Sequence, residues 1–316
     1  MVLHANKDWY RHVGTQPPPR SNTALTWYKE GAVLFGGMGV NKELLNDTWM
    51  WQPTTGWTEL PCKVGCASGR LMHSLAAYEI TGYETGVIMF GGATTGEPRM
   101  DALDDTWQLS SNGTWKQLRL TPHGPNGTTI LHAAAPPARW GHSMVAGKPT
   151  TTGVFVMLFG GGKTQDDHFG DTWRLEITRN SFQWFQVVPV QTPTTTPALQ
   201  VPPGRWSYQL APCGSGVLMA TGSTGYRVCT DDTWVWDPKT VPSPWGPSHD
   251  QNGTWTVVPQ AGANHPGHLG GAGMAAVYGG GLDGVLLFGG IPFEPGTTRI
   301  GPLMNETWFF PKTSCP

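Results

Sequence analysis

Four arginines stand at one recurring place in the chain. Arg20, Arg70, Arg139 and Arg205 close the stretches "PPPR", "ASGR", "PPAR" and "PPGR", and His268 closes "HPGH". A guanidinium is a permanent planar donor that grips carboxylates and phosphates through parallel hydrogen bonds. A rim of such groups would suit a partner carrying carboxylates, phosphates or acidic side chains. The recurrence has a second reading. A residue that returns in every repeat serves the repeat, and each arginine would then bond carbonyls of the neighbouring unit.

Two acidic stretches could offer ligands to a metal. In "EPRMDALDD", Glu97, Asp101 and Asp105 fall at four-residue intervals, and "QDDHFGD" gathers Asp166, Asp167, His168 and Asp171. The second set lacks the ligand spacing of a known metal site. Both read as solvated polar loops, and no metal or other cofactor is expected. No nucleophile elbow, phosphate loop, zinc motif or dinucleotide fingerprint occurs. Of the five cysteines, Cys62 and Cys66 in "PCKVGC" offer a local disulfide or an idle thiol pair.

Asn-x-Thr acceptor sites occur at Asn46, Asn112, Asn126, Asn252 and Asn305, half of the ten asparagines. That enrichment leans towards a glycosylated protein, extracellular or in the secretory pathway. In the alternative, a cytoplasmic chain, "NDT" and "NGT" are turn chemistry that happens to spell an acceptor. The first residues, "MVLHANKDWYRHV", lack the apolar stretch of a secretory signal.

The elements that position these residues repeat from end to end. An apolar strand runs into a glycine pair in "AVLFGG", "VIMFGG", "VMLFGG", a degraded "VLMATG", and "VLLFGG". After a polar loop come "NDTWMW", "DDTWQL", "GDTWRL", "DDTWVW" and "NETWFF", then a turn and a Trp-bearing strand such as "GWTEL" or "QWFQV". A weaker strand precedes each glycine-pair strand. The unit is four strands with a period of about 60 residues, and it cannot bury both its faces alone, so copies must stack. Four-stranded antiparallel sheets set radially make a β-propeller.

The pattern Phe-Gly-Gly, then Asp-Thr-Trp, then Trp-x-x-Leu/Val, resembles the kelch repeat over nearly the whole chain. The resemblance implies an all-β, five-bladed propeller forming a single domain over 1–316. Its blades span about 20–60, 70–118, 139–188, 205–258 and 267–310. The last blade lacks a fourth strand after "ETWFF", and "DWYRHV" at 8–13 is expected to return as that strand and close the ring, as kelch-like rings commonly close. Glu97, Asp101 and Asp105 resemble the E-x3-D-x3-C iron motif of kelch-type specifier proteins, except that the third position is not Cys. The seven-bladed galactose-oxidase-like kelch enzymes use a copper site of His and Tyr with no counterpart here.

The repeat also assigns roles and faces. Trp49, Trp107, Trp173, Trp234 and Trp308, with Trp57, Trp115, Trp184, Trp255 and Trp9, are expected to be core. Asp47, Asp105, Asp171, Asp232 and Glu306 precede "TW", where a carboxylate can bond local backbone. Because strands alternate in direction, loops between the second and third strands share a face with the connections from blade to blade. The variable loops, the arginines and His268 lie there. Cys213 and Cys229 fall on opposite faces, roughly 15–20 Å apart along a strand at about 3.3 Å per residue. That exceeds a disulfide's usual span, and the tail carrying Cys315 shares the face of Cys213, so a Cys213–Cys315 bridge is expected.

With 13% charged residues and a formal net charge of -2, the chain lacks a nucleic-acid footprint. No apolar run approaches a membrane span. The expected function is non-catalytic: binding of a protein or glycan through the loop face, as a free-standing adapter, a secreted ligand-binder or a subunit of a larger assembly. The alternative is a small-molecule lyase-like or metal-assisted enzyme at the channel mouth, as in the specifier proteins.

Overall fold

The computed structural model describes residues 14–62, 65–96, 99–118, 135–164, 167–187, 201–225, 228–238, 253–259, 266–277, 283–289, 291–292 and 307–315. It is a five-bladed all-β propeller whose strands pair antiparallel. Blade 3 illustrates the plan with Ser143–Ala146 innermost, then Gly153–Phe159, Thr172–Thr178 and Phe182–Val187 outermost. Blade 1 repeats it with Ala24–Tyr28, Gly31–Gly39, Leu44–Gln52 and Gly56–Leu60. Blade 2 uses Ser74–Ile80, Glu84–Phe90, Thr106–Leu109 and Trp115–Gln117. Blade 4 uses Gln209–Cys213, Gly216–Ala220, Thr233–Asp237 and Thr254–Val257.

In blade 5 the described strands are Gly273–Val277, Gly284–Phe288 and Thr307–Pro311. The expected closing strand at 8–13 lies outside the described residues. The described residues include one short 3-10 turn, Lys312–Ser314, and no helix long and apolar enough to cross a membrane.

The inner strands meet in sequence from blade 1 to blade 5, and the core lies between blades. Ala76, Ile88 and Phe90 of blade 2 pack on Met144, Leu158, Trp173 and Trp184 of blade 3. A second such layer joins blades 1 and 2, and a third joins blades 3 and 4. Position for position, Leu75, Met144 and Leu210 cover the preceding blade and are at most 7% exposed. In blade 1 the matching Leu25 is 58% exposed and its neighbour Trp27 62%. Phe309 on the third strand of blade 5 is 40% exposed.

The glycine pairs are the hinges between blades. After Phe159, Gly160 and Gly161 take φ values of 60° and 87°, a region that only glycine enters without strain. A Cβ at Gly160 would lie 2.6 Å from the Arg205 carbonyl oxygen of the next blade. Gly161 N–H then donates to that same carbonyl at 2.8 Å. Gly37 and Gly92 donate likewise to Arg70 and Arg139, both at 2.9 Å. In the degraded "VLMATG", Thr221 holds the left-handed φ of 63° in place of the first glycine.

Gly160→Ala is expected to cost at least about 2 kcal/mol, from the left-handed backbone and the contact with Arg205 together. Urea unfolding of the two proteins measures it; equal midpoints would mean that this hinge tolerates a side chain.

Candidate functional site

The arginines are not a rim. Arg70, Arg139 and Arg205 are fully buried, and the Arg20 side chain is 4% exposed. Each guanidinium forks onto the aspartate ahead of its own blade's Thr-Trp. Arg139 Nη1 and Nη2 donate to Asp171 Oδ1 and Oδ2 at 2.6 and 2.8 Å. Arg20 pairs with Asp47, Arg70 with Asp105 and Arg205 with Asp232, all at 2.6 to 2.8 Å. Nη1 also donates to the carbonyl of Gly36, Gly91, Gly160 or Thr221, and Nε to the carbonyl two residues upstream. These donors are occupied inside the blade, so they cannot also hold a partner, and the binding-rim reading of Arg20, Arg70, Arg139 and Arg205 is corrected.

All three residues of the Asp-Thr-Trp segment then acquire tertiary roles. The Trp indole donates back to the aspartate, Trp49 to Asp47, Trp107 to Asp105, Trp173 to Asp171 and Trp234 to Asp232, at 2.5 to 2.7 Å. The Thr hydroxyl accepts the outer-strand indole of the next blade: Trp115 to Thr48, Trp184 to Thr106 and Trp255 to Thr172, at 2.9 to 3.1 Å. Burial pushes the carboxyls of Asp47, Asp105 and Asp232 up, but the guanidinium hydrogen bonds and charge outweigh it and hold them below the usual value. Asp47 and Asp105 also bond local backbone, as expected, and the longer-range pairing is added to that bond; Glu306 lies outside the described residues.

Three residues beyond Arg70, Arg139 and Arg205 lies another bridge to the preceding blade, whereas Thr23, three beyond Arg20, bonds the Phe35 carbonyl of its own blade. Tyr208 donates its hydroxyl to the Phe159 carbonyl, and His73 and His142 occupy the same position edge-on to Phe35 and Phe90. Neither histidine makes a well-formed side-chain hydrogen bond. Burial, followed by the charge of Arg70, lowers His73 to about 3, and burial with Arg139 sets His142 well below the ordinary value. Both imidazoles are neutral in the folded protein at neutral pH.

Blade 5 departs from the scheme. Gly222 N–H donates to the carbonyl of Leu269, not to that of His268, so Leu269 takes the arginine position, buried and apolar. His268 sits one residue earlier, with Nδ1 2.8 Å from the Cys229 carbonyl oxygen and Nε2 3.5 Å from Asp231. Its placement with the four arginines is therefore corrected by one residue.

The remaining candidates are dispersed. Glu97, Asp166, Asn126, Asn252 and Asn305 lie outside the described residues. Asp101 pairs with Arg99 at 2.9 Å, Asp105 is held by Arg70, and the Asp167 backbone N–H bonds Thr164. Among the described residues no group of three metal-ligating side chains converges. Asn112 is exposed, and its Oδ1 accepts from Ser110 and from the Thr114 N–H in a hairpin turn. Asn46 is exposed, while the Thr48 of its acceptor motif is buried between blades. Cys62 is bonded to Cys66 and Cys213 to Cys315, with Cα separations of 5.9 and 5.2 Å. Cys229 is a buried free thiol that burial pushes up to about 11. A cavity of about 180 Å³ opens between blades 1 and 2 beside Cys62, Asn112 and Trp115, where the indole is already bonded to Thr48.

The sequence reading passed over Trp140 and Trp206, which follow two of the arginines. Their rings meet edge-on at 5.7 Å on the loop face, with His168 parallel to Trp206 at 6.4 Å. The available signal was that Trp at this position occurs in two repeats only.

The stapled arginine, the glycine pair and the Asp-Thr-Trp segment, repeated through an all-β propeller, resemble the repeats of kelch propellers. It is 28% identical over 272 residues to an F-box/kelch-repeat protein of Arabidopsis thaliana, covering 78% of this chain and 50% of that protein. Adagio-like protein 1 of Oryza sativa subsp. japonica is 26% identical over 220 residues, 69% of this chain and 27% of the relative. Adagio-like protein 3 of the same organism is 23% identical over 189 residues, 57% and 26%. The chain thus spans half or less of the length of these curated relatives. The solved structure of YjhT shares the fold, with a TM-score of 0.64 at 14% identity over 97% of this chain and 85% of that one. No family model matches the chain.

Arg139→Ala strands a carboxylate, a loss of about 3–5 kcal/mol for a buried pair. Asp171 keeps 18% side-chain exposure and can rehydrate, which places the expected cost near the lower bound. Arg99→Ala, whose side chain is 80% exposed, should change stability by less than about 0.5 kcal/mol. Denaturant melts of both variants check the contrast, and equal melts would overturn the structural role.

A pH series isolates the histidines. The unfolded chain binds protons at His73 and His142 below about 6.5, and the folded chain refuses them down to about 3 at His73. Stability therefore falls as pH drops from 6.5, by up to about 1.4 kcal/mol per unit for each histidine. Asp47, Asp105 and Asp232 are held below 3.8 when folded, and their contribution is lost mainly as pH falls past the unfolded value of about 3.9. The loss between pH 6.5 and 4.5 is therefore assigned to the imidazoles. His73→Gln with His142→Gln should flatten that slope in thermal melts; an unchanged slope would assign it elsewhere.

Proposed function

We propose that this propeller is a non-catalytic binding module that engages a protein or glycan partner through its loop face. One observation carries the reading. The charged groups that recur from blade to blade are turned inward, while the residues that differ between blades are presented outward. Val40, Val201 and Val228 stand 47% to 73% exposed on loops of that face, beside exposed Lys42, Arg99 and Lys163. A rigid scaffold carrying variable loops is the usual arrangement for recognition. The F-box/kelch-repeat relative, of which this chain matches half, supports a propeller that is one part of a larger assembly. Two disulfides favour an oxidising compartment.

The test is cross-linking mass spectrometry in an extract of the source organism. A partner should cross-link to Lys42 or Lys163, and Val40→Asp with Val228→Asp should lower its capture at least tenfold. Thr54→Asp, in an exposed turn on the opposite face, should leave capture unchanged. Capture lost with Thr54→Asp but kept by the double variant would sink the assignment. Alkylation of the denatured, unreduced protein from that source should label Cys229 alone; five labelled cysteines would place the chain in a reducing compartment.

A further inference from the structure

Buried polar atoms without a partner gather at one end of blades 2 to 4. They belong to His73, Trp140, His142, His168 and Trp206. The indole nitrogens of Trp236 and Trp308, on the third strands of blades 4 and 5, also lack a partner among the described residues but stand apart from this group. The two histidines from the inner strands are accounted for by the contacts between blades. That leaves Nε1 of Trp140, Nε1 of Trp206 and Nε2 of His168. A buried indole N–H ordinarily finds an acceptor, and an orphan of this kind calls for water or a ligand.

The fold brings these three side chains together. Trp140 and His168 are bridge partners of Gly162 from opposite sides, and residues opposed in a ladder project on one face. Two rings thus flank a residue without a side chain, and a Cβ there would lie 2.9 Å from the Thr164 carbonyl oxygen. Trp206, from the next blade, stands edge-on to Trp140 and parallel to His168. Trp140 is buried, whereas Trp206 and His168 are half-buried and keep part of their surface in solvent.

The repeat does not require this cluster. The corresponding triples are Ser21, Met38 and Leu44 in blade 1, and Leu71, Ala93 and Ala102 in blade 2. The cations nearby are neutralised, Arg139 by Asp171 and Arg205 by Asp232, and exposed Lys163 and Asp167 offset each other at the edge. An anion would find no free guanidinium. A neutral ring with one apolar face and several hydroxyls would find the exposed ring surface of Trp206 and His168. The two indole N–H groups and the imidazole nitrogen are covered in the free chain and would be reached by a rotation of those rings.

We propose that Trp140, Trp206 and His168 form a subsite for a neutral saccharide on the loop face. This rests on the reading of that face as a binding surface and names a ligand class for it. The probe is an array of immobilised neutral mono- and oligosaccharides, followed by calorimetric titration of the whole chain with each free sugar retained. Trp206→Ala and His168→Ala should each weaken that binding at least tenfold, and Trp206→Phe, which keeps a stacking ring, should weaken it less. Unchanged melting of His168→Ala keeps the result interpretable if Trp206→Ala fails to fold. No neutral saccharide retained, or affinities untouched by both alanine variants, overturns the subsite and leaves ordered water as the partner of these atoms. Cross-linked protein capture that depends on Val40 and Val228 would persist in that case, so the two readings fail separately.

Discussion

The structure depends on one residue acting in two directions. Arg70, Arg139 and Arg205, each at the start of an inner strand, use the side chain to hold their own blade and the backbone to hold the one before. The guanidinium spans 27 to 35 residues of sequence to reach its aspartate. The Arg70, Arg139 and Arg205 carbonyls meanwhile take the second glycine of the preceding pair. Isolated buried ion pairs often gain little, because desolvation offsets the attraction. Here the remaining donors are also satisfied, by the glycine-pair carbonyl and a carbonyl upstream, which is the condition under which such a pair fixes geometry.

From that constraint the rest of the motif follows. The aspartate must stand beside the arginine, so it opens the third strand. The indole two residues on is brought back to the same carboxylate, and the threonine between them faces the next blade. The glycine pair must bring its backbone against the arginine carbonyl, which excludes a Cβ at the first position. Thr221 is the exception, and its carbonyl still accepts from Arg205 at 2.9 Å. Tertiary bonding therefore imposes a backbone that costs a non-glycine residue about 1–2 kcal/mol. Blade 5 replaces the charged staple with buried Leu269, a substitution that keeps the backbone bond and gives up the pair.

The strands and their count were legible in the sequence because a five-fold recurrence of apolar runs, glycine pairs and tryptophans leaves little choice of architecture. The partners were not. Nothing in "PPAR" and "GDTW" says that Arg139 and Asp171 share two hydrogen bonds across the blade, so the arginine read equally as a binding group. His268 was aligned by spacing with "R", whereas the strand register puts Leu269 there. The acceptor motifs at Asn46 and Asn112 spell glycosylation, yet Thr48 serves an indole of the next blade and Asn112 closes a turn.

A motif this demanding shapes where specificity can reside. Asp, Thr, Trp, Arg and both glycines are fixed by contacts within and between blades, so changing them to suit a ligand would loosen the propeller. Ligand recognition must then fall to positions where the blades disagree, and the second-to-third-strand loops and the residue after each arginine are such positions. Trp140 and Trp206 occupy that residue in two blades, Leu71 and Ser21 in two others, with the same backbone beneath each. The scaffold can present an aromatic ring, an isobutyl group or a hydroxyl there on one and the same backbone. The functional signal of a repeat protein of this kind is accordingly the departure from its repeat, read against contacts that explain every residue the repeat retains.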